Sequence, residues 1–196
     1  MTQSTSTLSK AVPKRRWSRD EYYQMGDMGW FQDQRVELIE GEVVIMSPQK
    51  WLHSATLVRT ARALERAFGS GFWVRMQMPL ALGPHSEPEP DVSVVRGAFE
   101  DYSDHPTAAV LVVEISQATL AFDRGEKASL YAKHGIQDYW IVNLIDRRLE
   151  VLRSPKSDAA RPYGFGYVDF TVFQPSESVT PLAAPGQPVP VHTILR

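Results

Sequence analysis

Residues 109–115 constrain the fold of this chain more than any other segment, because six of the seven are apolar and the seventh is Glu114. A continuous apolar run of this length is typical of a strand that is covered on both faces. A carboxylate in such a strand is costly to bury unless it is paired, hydrogen-bonded or bound to a metal ion. The segment therefore predicts a layered protein with a central sheet, and it makes Glu114 a candidate functional residue.

The composition limits what kind of protein surrounds that strand. The chain has 196 residues, which is enough for one domain with a core of its own. It has no cysteine, which excludes disulfides, thiolate metal sites and a cysteine nucleophile. No apolar run approaches the ~20 residues of a membrane span, and the net charge of −2 argues against a uniformly basic nucleic-acid-binding surface. We expect a cytoplasmic protein with no membrane partner.

The first 16 residues differ from the rest, because they carry basic side chains and no acid. We interpret residues 1–16 as a flexible basic arm that is either a solvated terminus or a tether to phosphates. Residues 17–196 contain no linker or internal repeat and are predicted to form a single domain.

Local patterns predict a mixture of helices and strands. Ser18 and Glu21 match a capping box, which predicts a helix start. Two β-rich runs around Glu40-Gly41 predict a hairpin. The fold class is therefore α/β (α+β), with a mixed central β-sheet flanked by helices. The predicted elements are helices over residues 18–25, 54–68 and 123–134, strands over 36–39, 42–46, 72–78, 91–95, 109–115, 139–143, 148–153 and 167–173, and a mostly irregular tail from 175.

Asp91 is a second candidate residue, because it opens a predicted strand directly after Pro90. If its strand neighbours that of Glu114, both carboxylates converge at one end of the sheet. Such a pair suits Mg²⁺ or Mn²⁺, which bind through one or two carboxylates and keep several waters. In a hydrolase the ion lowers the pKa of a bound water and stabilises charge on a phosphate. Taken alone, Asp91 is equally well explained as a turn residue.

Lys127 is the third candidate, because Asp123, Lys127 and Tyr131 share one face of a predicted helix. A helix that follows the strand of Glu114 packs back over the same sheet, so Lys127 can point toward the carboxylates. An ammonium there could orient an attacking water or neutralise a phosphate in the transition state. Two plainer interpretations stay open: a buried ion pair between Glu114 and Lys127, and an ordinary helix pair between Asp123 and Lys127.

Short motifs occur along the chain in a specific order. They are RVELIEGE at 35–42, MSP at 46–48 followed by His53, PDV at 90–92, VVEIS at 112–116, DRGEK at 123–127 with Tyr131, and Gly135 with YWIV at 139–142. In order and spacing the chain resembles the Uma-type family of restriction endonucleases, within the PD-(D/E)XK nuclease superfamily, from about residue 17 to the C-terminus.

The resemblance implies a restriction-endonuclease-like fold with a Mg²⁺-dependent phosphodiesterase site at one edge of the sheet. Asp91 corresponds to the D of the superfamily signature and Glu114 to its D/E. Two residues after Glu114, Ser116 stands where the superfamily usually has lysine. The Uma-type pattern places its lysine on the following helix, where this chain has Lys127.

The resemblance also implies roles for side chains around this set. Glu37 is similar to the acidic residue that holds a metal directly or through water. Glu40 is the competing candidate, and its place at a hairpin turn predicts exposure. Glu89 either supports the site or faces water, and His53 either contacts a phosphate or makes a local hydrogen bond.

We therefore expect a metal-dependent endonuclease that hydrolyses DNA phosphodiester bonds through an activated water. Asp91, Glu114 and Glu37 would bind Mg²⁺ (or Mn²⁺), with Lys127 beside them. DNA would be the partner, and cleavage of both strands would need a homodimer. On helix 54–68, Arg59, Arg62 and Arg66 form either a solvated face or a backbone contact. The alternatives are a catalytically inactive nuclease-fold binding or regulatory module and, third, a hydrolase of smaller phosphate esters.

Overall fold

A computed structural model describes residues 14–196 of the chain. Residues 1–13, most of the predicted basic arm, lie outside the described residues. The last part of that arm contacts the domain, since Arg16 donates to the Glu40 carbonyl oxygen at 2.7 Å. No helix within the described residues is long and apolar enough to span a bilayer.

The described chain alternates between strands and helices, as the sequence patterns predict. The strands are β1 (Val36–Ile39), β2 (Glu42–Ile45), β3 (Phe72–Met76), β4 (Val92–Arg96), β5 (Leu111–Ser116), β6 (Asp138–Asn143), β7 (Arg148–Ser157), β8 (Phe165–Phe173), β9 (Ser178–Val179) and β10 (Val189–Pro190). The helices are α1 (Arg19–Asp27), α2 (Trp51–Phe68), α3 (Leu120–Phe122), a π-helical turn (Asp123–Lys127), α4 (Ala128–Lys133) and α5 (Val191–Ile194), with a 3₁₀ turn at Phe99–Asp101.

The central sheet has six strands in the order β3-β4-β5-β6-β7-β8. Only β5 and β6 pair in parallel, and the other four pairings are antiparallel. This mixed sheet with helices on its faces confirms the predicted fold class. Every residue of β5 is buried, as its apolar run predicts, because both faces of the strand are covered.

Two hydrophobic cores lie on opposite faces of the sheet, because neighbouring residues of a strand point to opposite sides. On one face, Val113 and Trp140 pack with the apolar stripe of α2, which includes Leu57 and Leu64. On the other face, residues of β5 and β6 pack with α4, including the fully buried Tyr131. The site elements lie on this second face.

The hairpin of β1 and β2 is a separate two-stranded sheet over this second face. Glu40 and Gly41 connect its strands with φ angles of 50° and 84°, which is the positive-φ pair that a type I′ turn needs. The predicted hairpin is confirmed, and all four residues of β1 are buried. Burial of both faces of β1 brings Glu37 inside the protein.

Several predicted boundaries were wrong. Helix 54–68 begins at Trp51, and strand 72–78 ends at Met76, after which Gln77 has φ 50°. The tail from residue 175 is mostly irregular, as predicted, apart from β9, which pairs with β10, and the short α5. Val191 and Ile194 of α5 are fully buried in the core beside α2, so their burial orders the tail.

Candidate active site

Asp91 and Glu114 meet at one end of the sheet, as their placement in the sequence predicts. β4 and β5 are antiparallel neighbours with Val92 opposite Val113, so the residue before Val92 lies beside the residue after Val113. The backbone N–H of Asp91 lies 3.4 Å from Glu114 Oε2, as a long hydrogen bond. The strand pairing alone therefore brings the two carboxylates together.

The Asp91 carboxylate is held mainly through one oxygen. Its Oδ2 accepts a hydrogen bond of 2.8 Å from the backbone N–H of Ile115 and lies 3.0 Å from His53 Nε2. Its Oδ1 has a longer contact of 3.3 Å with Gln77 Nε2. His53 therefore belongs to the site through Asp91, and Oδ1 is the more available oxygen of this carboxylate.

Lys127 lies between two carboxylates and is only 1 % exposed. Its Nζ donates to Glu114 Oε1 and to Glu37 Oε1, each at 3.0 Å. Glu37 Oε2 lies 2.7 Å from the same nitrogen but accepts no hydrogen bond there, so that contact is electrostatic. The structure brings all four predicted site residues, Glu37, Asp91, Glu114 and Lys127, into one contiguous group.

Tyr131 also contacts this group, since its hydroxyl donates to Glu114 Oε1 at 2.7 Å. Sequence reasoning placed Tyr131 on the helix face of Lys127 but assigned it no function. The eight-residue spacing from Asp123 was the available signal. Glu114 Oε1 thus has two buried donors, whereas Oε2 has only the long contact with the Asp91 N–H.

A π-helical turn aligns the side chains that contact the sheet. In a regular α-helix, residues four apart drift by about 40° around the axis at each step. Here the backbone N–H of Ala128 bonds to the Asp123 carbonyl oxygen five residues back, which widens the turn and counteracts the drift. Asp123, Lys127 and Tyr131 can therefore all face the sheet. The prediction of a helix over 123–134 was wrong in two respects. The helical segment starts three residues earlier, at Leu120, and it contains this π-turn, which the local pattern does not predict.

Asp123 is a buried acid that sequence reasoning did not place among the site residues. Thr119 Oγ1 donates to its Oδ2 at 2.7 Å, and Ser116 Oγ donates to the same oxygen. The predicted helix pair with Lys127 is not formed, since Lys127 pairs with Glu37 and Glu114. Ser116, at the usual position of the superfamily lysine, therefore holds a carboxylate instead.

A cleft of about 280 Å³ opens beside this group, and Lys127 and Tyr131 lie behind its wall. Five acids line it: Glu37, Glu89, Asp91, Glu114 and Asp123. The rest of the lining consists of Arg35, residues 46–50, His53, Ile115 and residues 117–119. Glu89 forms a 3.3 Å ion pair with Arg35, so it belongs to the rim of the cleft.

Glu40 is not exposed, contrary to the prediction from its place in the hairpin turn. Its side chain is 10 % exposed and pairs with Lys133 at 2.7 Å and with Arg16. Burial opposes ionisation, but Lys133 and Arg16 outweigh it and lower the pKa of Glu40. Glu40 does not line the cleft. Its ion pair with Lys133 joins the hairpin to the end of α4.

Burial dominates the electrostatics of the acids. Desolvation raises the pKa of Glu37, Asp123 and Glu114, and that of Glu114 reaches about 8 although Lys127 opposes the shift. Burial alone would lower the pKa of Lys127, but attraction by Glu114, Glu37 and Asp123 outweighs it and raises that pKa. Lys127 therefore stays charged at neutral pH. When ionised, the carboxylates around it carry more negative charge than its single ammonium neutralises.

The variant Glu114→Gln should be more stable than the wild type, without added metal, by a margin that grows with pH. The folded-state pKa of about 8 lies above the ordinary value of 4.5. The stability from protonated Glu114 is therefore complete below pH 4.5 and is lost as the pH rises through 8. We expect the difference in the free energy of unfolding to grow by about 2–4 kcal/mol.

Urea unfolding in EDTA at pH 5 and pH 8 measures this difference. Glu126→Gln, on the same helical turn but outside the cleft lining, is the matched control and should show no such growth. A difference for Glu114→Gln that stays constant or shrinks with pH would contradict the assigned burial.

The donor set fits a divalent cation held by two carboxylates. Asp91 Oδ1 and Glu114 Oε2 have only long hydrogen bonds, of 3.3 and 3.4 Å, so both oxygens keep capacity for another partner. Mg²⁺ is commonly bound through one or two carboxylates with waters completing its shell. Within residues 14–196, no group of three or more His, Asp or Glu side chains has metal-binding geometry. Glu37 is turned to Lys127 instead.

Comparisons with known proteins identify a family and a similar fold. A family model with the description "Uma2: Putative restriction endonuclease" matches residues 19–191. One similar solved structure, a putative nuclease belonging to DUF820 from Anabaena variabilis, is 18 % identical with a TM-score of 0.66, covering 91 % of this chain and 97 % of that one. That likeness shows a shared fold. No curated protein matches the chain.

Proposed function

The chain belongs to the Uma2 family, described as putative restriction endonucleases, and from this premise we propose that it is a metal-dependent endonuclease that hydrolyses DNA phosphodiester bonds. The observation that carries the proposal is the pair of adjacent carboxylates, Asp91 and Glu114, at a cleft beside the buried ammonium of Lys127. The nuclease description of the Anabaena variabilis protein supports the same class of reaction.

Asp91 and Glu114 would hold Mg²⁺ or Mn²⁺ through Asp91 Oδ1 and Glu114 Oε2. When bound, such an ion supplies a water of lowered pKa and stabilises charge on the phosphate. The protein keeps both acids oriented: the Ile115 N–H fixes Asp91, and Tyr131 fixes Glu114. Glu37, the third acid that the sequence suggests as a ligand, is turned to the ammonium of Lys127, which also contacts Glu114, so it would assist the site through that lysine.

Lys127 would neutralise negative charge on the phosphate. It occupies a helix rather than the position of Ser116, yet its Nζ reaches the same carboxylate, Glu114, at 3.0 Å. An ammonium held by buried partners is already oriented when the substrate binds, so it costs little reorganisation during the reaction. This contact supports Lys127 as the functional replacement for the lysine missing after Glu114.

DNA is the proposed partner. Because the cleft is acidic, a bound cation would be needed to offset the repulsion between its carboxylates and the phosphates of DNA. Cations at or near the cleft, Arg35 and Lys50, are candidates for backbone contacts, as are the exposed Arg62 and Arg66 on α2. Cleavage of both strands would need two active sites, so the proposal includes a homodimer. It also includes a cytoplasmic location, which gives access to DNA.

Supercoiled plasmid incubated with the protein tests the function. We expect nicked and linear products with Mg²⁺ or Mn²⁺ and none with EDTA, because the two carboxylates need the ion to accept a phosphate. The assay follows the rate of plasmid conversion on gels. As a control for reversible loss of activity, the protein is treated with EDTA and then given excess Mg²⁺. Equal cleavage with and without EDTA would contradict metal dependence, and no cleavage under any condition would contradict the enzyme.

The second candidate is a non-cleaving binding or regulatory module. It is favoured by the ion pairs of Lys127 with both Glu37 and Glu114, which would also be formed by a purely structural cluster. Calorimetric titration with Mn²⁺ separates the two. Binding that Glu114→Ala abolishes contradicts the structural cluster, whereas the absence of binding and of cleavage together supports the module.

A further inference from the structure

Asp123 is a buried carboxylate of the cleft for which the scheme above has no role. It is 3 % exposed and lines the cleft together with Asp91 and Glu114. Within residues 14–196 it forms no ion pair, because the lysine on its helix face pairs with Glu37 and Glu114. A buried carboxylate without a counter-ion is expensive to keep, so a purely structural account leaves its charge unexplained.

The two oxygens of Asp123 are not equivalent. Both hydroxyl donors, Ser116 Oγ and Thr119 Oγ1, bond to Oδ2. In the described part of the chain, no donor bonds to Oδ1, and the residue faces the cleft. One oxygen is therefore anchored while the other is available to a molecule in the cleft.

The backbone of Asp123 is fixed as firmly as its side chain. Its N–H donates to the Thr119 carbonyl oxygen at 2.9 Å, and its own carbonyl oxygen accepts from the Tyr139 hydroxyl at 3.0 Å. The π-turn that begins at Asp123 accounts for its direction toward the sheet. Anchors on both the main chain and one carboxylate oxygen pre-orient the free oxygen, as a catalytic group requires.

We propose that Asp123 is a catalytic residue that holds the attacking water through Oδ1 and takes up its proton. This role rests on the proposed nuclease function and leaves Lys127 to the phosphate. The water oxygen forms a bond to phosphorus while the bond from phosphorus to the leaving sugar oxygen breaks, and the electron pair passes to that oxygen. The water's proton goes to Asp123 and then to solvent, and solvent protonates the leaving oxygen.

Ser116 and Thr119 are positioning residues in this scheme, since each acts through Asp123. Ser116 stands where the superfamily usually has lysine, and its hydroxyl holds the acid that orients the water. The serine at this position and the anchored carboxylate on the following helix therefore act together at the site.

The decisive variants are Asp123→Asn and the pair Thr119→Val and Thr119→Ser. Asparagine keeps an acceptor for the two hydroxyls but does not accept the water's proton, so kcat for plasmid nicking should fall by about 10²–10³-fold with KM nearly unchanged. Valine removes the Thr119 hydroxyl at equal volume and should lower kcat about tenfold, whereas serine restores it. Glu126→Gln, the same charge change outside the cleft lining, should keep the wild-type rate.

Thermal unfolding midpoints of all variants accompany the kinetics. Wild-type kcat in folded Asp123→Asn would overturn the role of Asp123 and leave the nuclease function standing. If Asp123→Asn unfolds, the threonine pair decides, and equal rates for valine and serine overturn the proposal. A wild type that cleaves no DNA overturns both the proposal and the function on which it rests.

Discussion

Asp91→Asn is expected to lower the rate of DNA cleavage by about 10³-fold or more without unfolding the protein. The loss follows because an amide replaces one of two charged ligands for an ion whose charge stabilisation amounts to several kcal/mol. The fold should persist, since the asparagine oxygen still accepts the hydrogen bond that the Ile115 N–H donates at 2.8 Å to Asp91 Oδ2. Single-turnover cleavage with Mg²⁺, together with the thermal unfolding midpoint, measures both effects.

Asp33→Asn is the matched control for this variant. Asp33 is exposed and has a φ of 65°, a conformation that asparagine adopts as readily as aspartate. The Asp33→Asn variant makes the same chemical change away from the cleft and should leave the rate of DNA cleavage unchanged. Cleavage by Asp91→Asn at the wild-type rate would show that the two-carboxylate site is not the reaction centre.

Lys127→Met should destabilise the metal-free protein by about 3–5 kcal/mol at pH 8, because removing one partner leaves buried charge uncompensated. The abandoned carboxylates are Glu37 and Glu114, both within 3.0 Å of the Lys127 ammonium. Burial already raises the pKa of both acids. Lower pH lets them bind protons and become neutral, so the destabilisation should shrink from pH 8 to pH 5.

Urea unfolding in EDTA at both pH values measures the effect of Lys127→Met. Lys156→Met removes an exposed lysine from β7 and should change the free energy of unfolding by less than about 1 kcal/mol. The double variant Glu37→Gln with Lys127→Met should recover part of the loss, since one buried charge is removed with its partner. Equal unfolding free energies for wild type and Lys127→Met at pH 8 would contradict the buried ion network.

The pH dependence also distinguishes Lys127 from an ordinary surface ion pair. One ammonium faces more carboxylate charge than it neutralises, so loss of a carboxylate and loss of the ammonium should act in opposite directions at pH 8. Glu114→Gln relieves excess negative charge, whereas Lys127→Met adds to it. A bound divalent cation would remove this imbalance, which gives a physical reason why metal should stabilise the wild type.

Much of the fold follows from local patterns. The hairpin turn at Glu40-Gly41 and the capping box at Ser18 depend on residues near each other in the chain, and both occur as predicted. The pairing of Asp91 with Glu114 needed one further assumption, that their strands are neighbours. The order of the Uma-type motifs carried the family assignment, which the family model confirms over residues 19–191.

The errors concern residues whose state depends on distant partners. The turn predicted that Glu40 is exposed, but Lys133, at the end of α4, forms an ion pair with its carboxylate. The tail is mostly irregular as expected, but the burial of Val191 and Ile194 in the core beside α2 had no local signal. No local pattern contains these partners, because they lie tens of residues away in the sequence.

The sequence by itself determined the buried strand, the hairpin, the fold class and the candidate residues Asp91, Glu114 and Lys127. Periodicity, turn residues and the order of motifs can all be read from the chain without knowing which residues meet in space. Only the tertiary structure decided which charges meet. It turned Glu37 toward Lys127, placed Tyr131 on Glu114, and used a π-turn to bring Asp123 into the cleft. These contacts join elements far apart in the chain, and the free energy that selects them comes from packing and from satisfying charges that burial has removed from water.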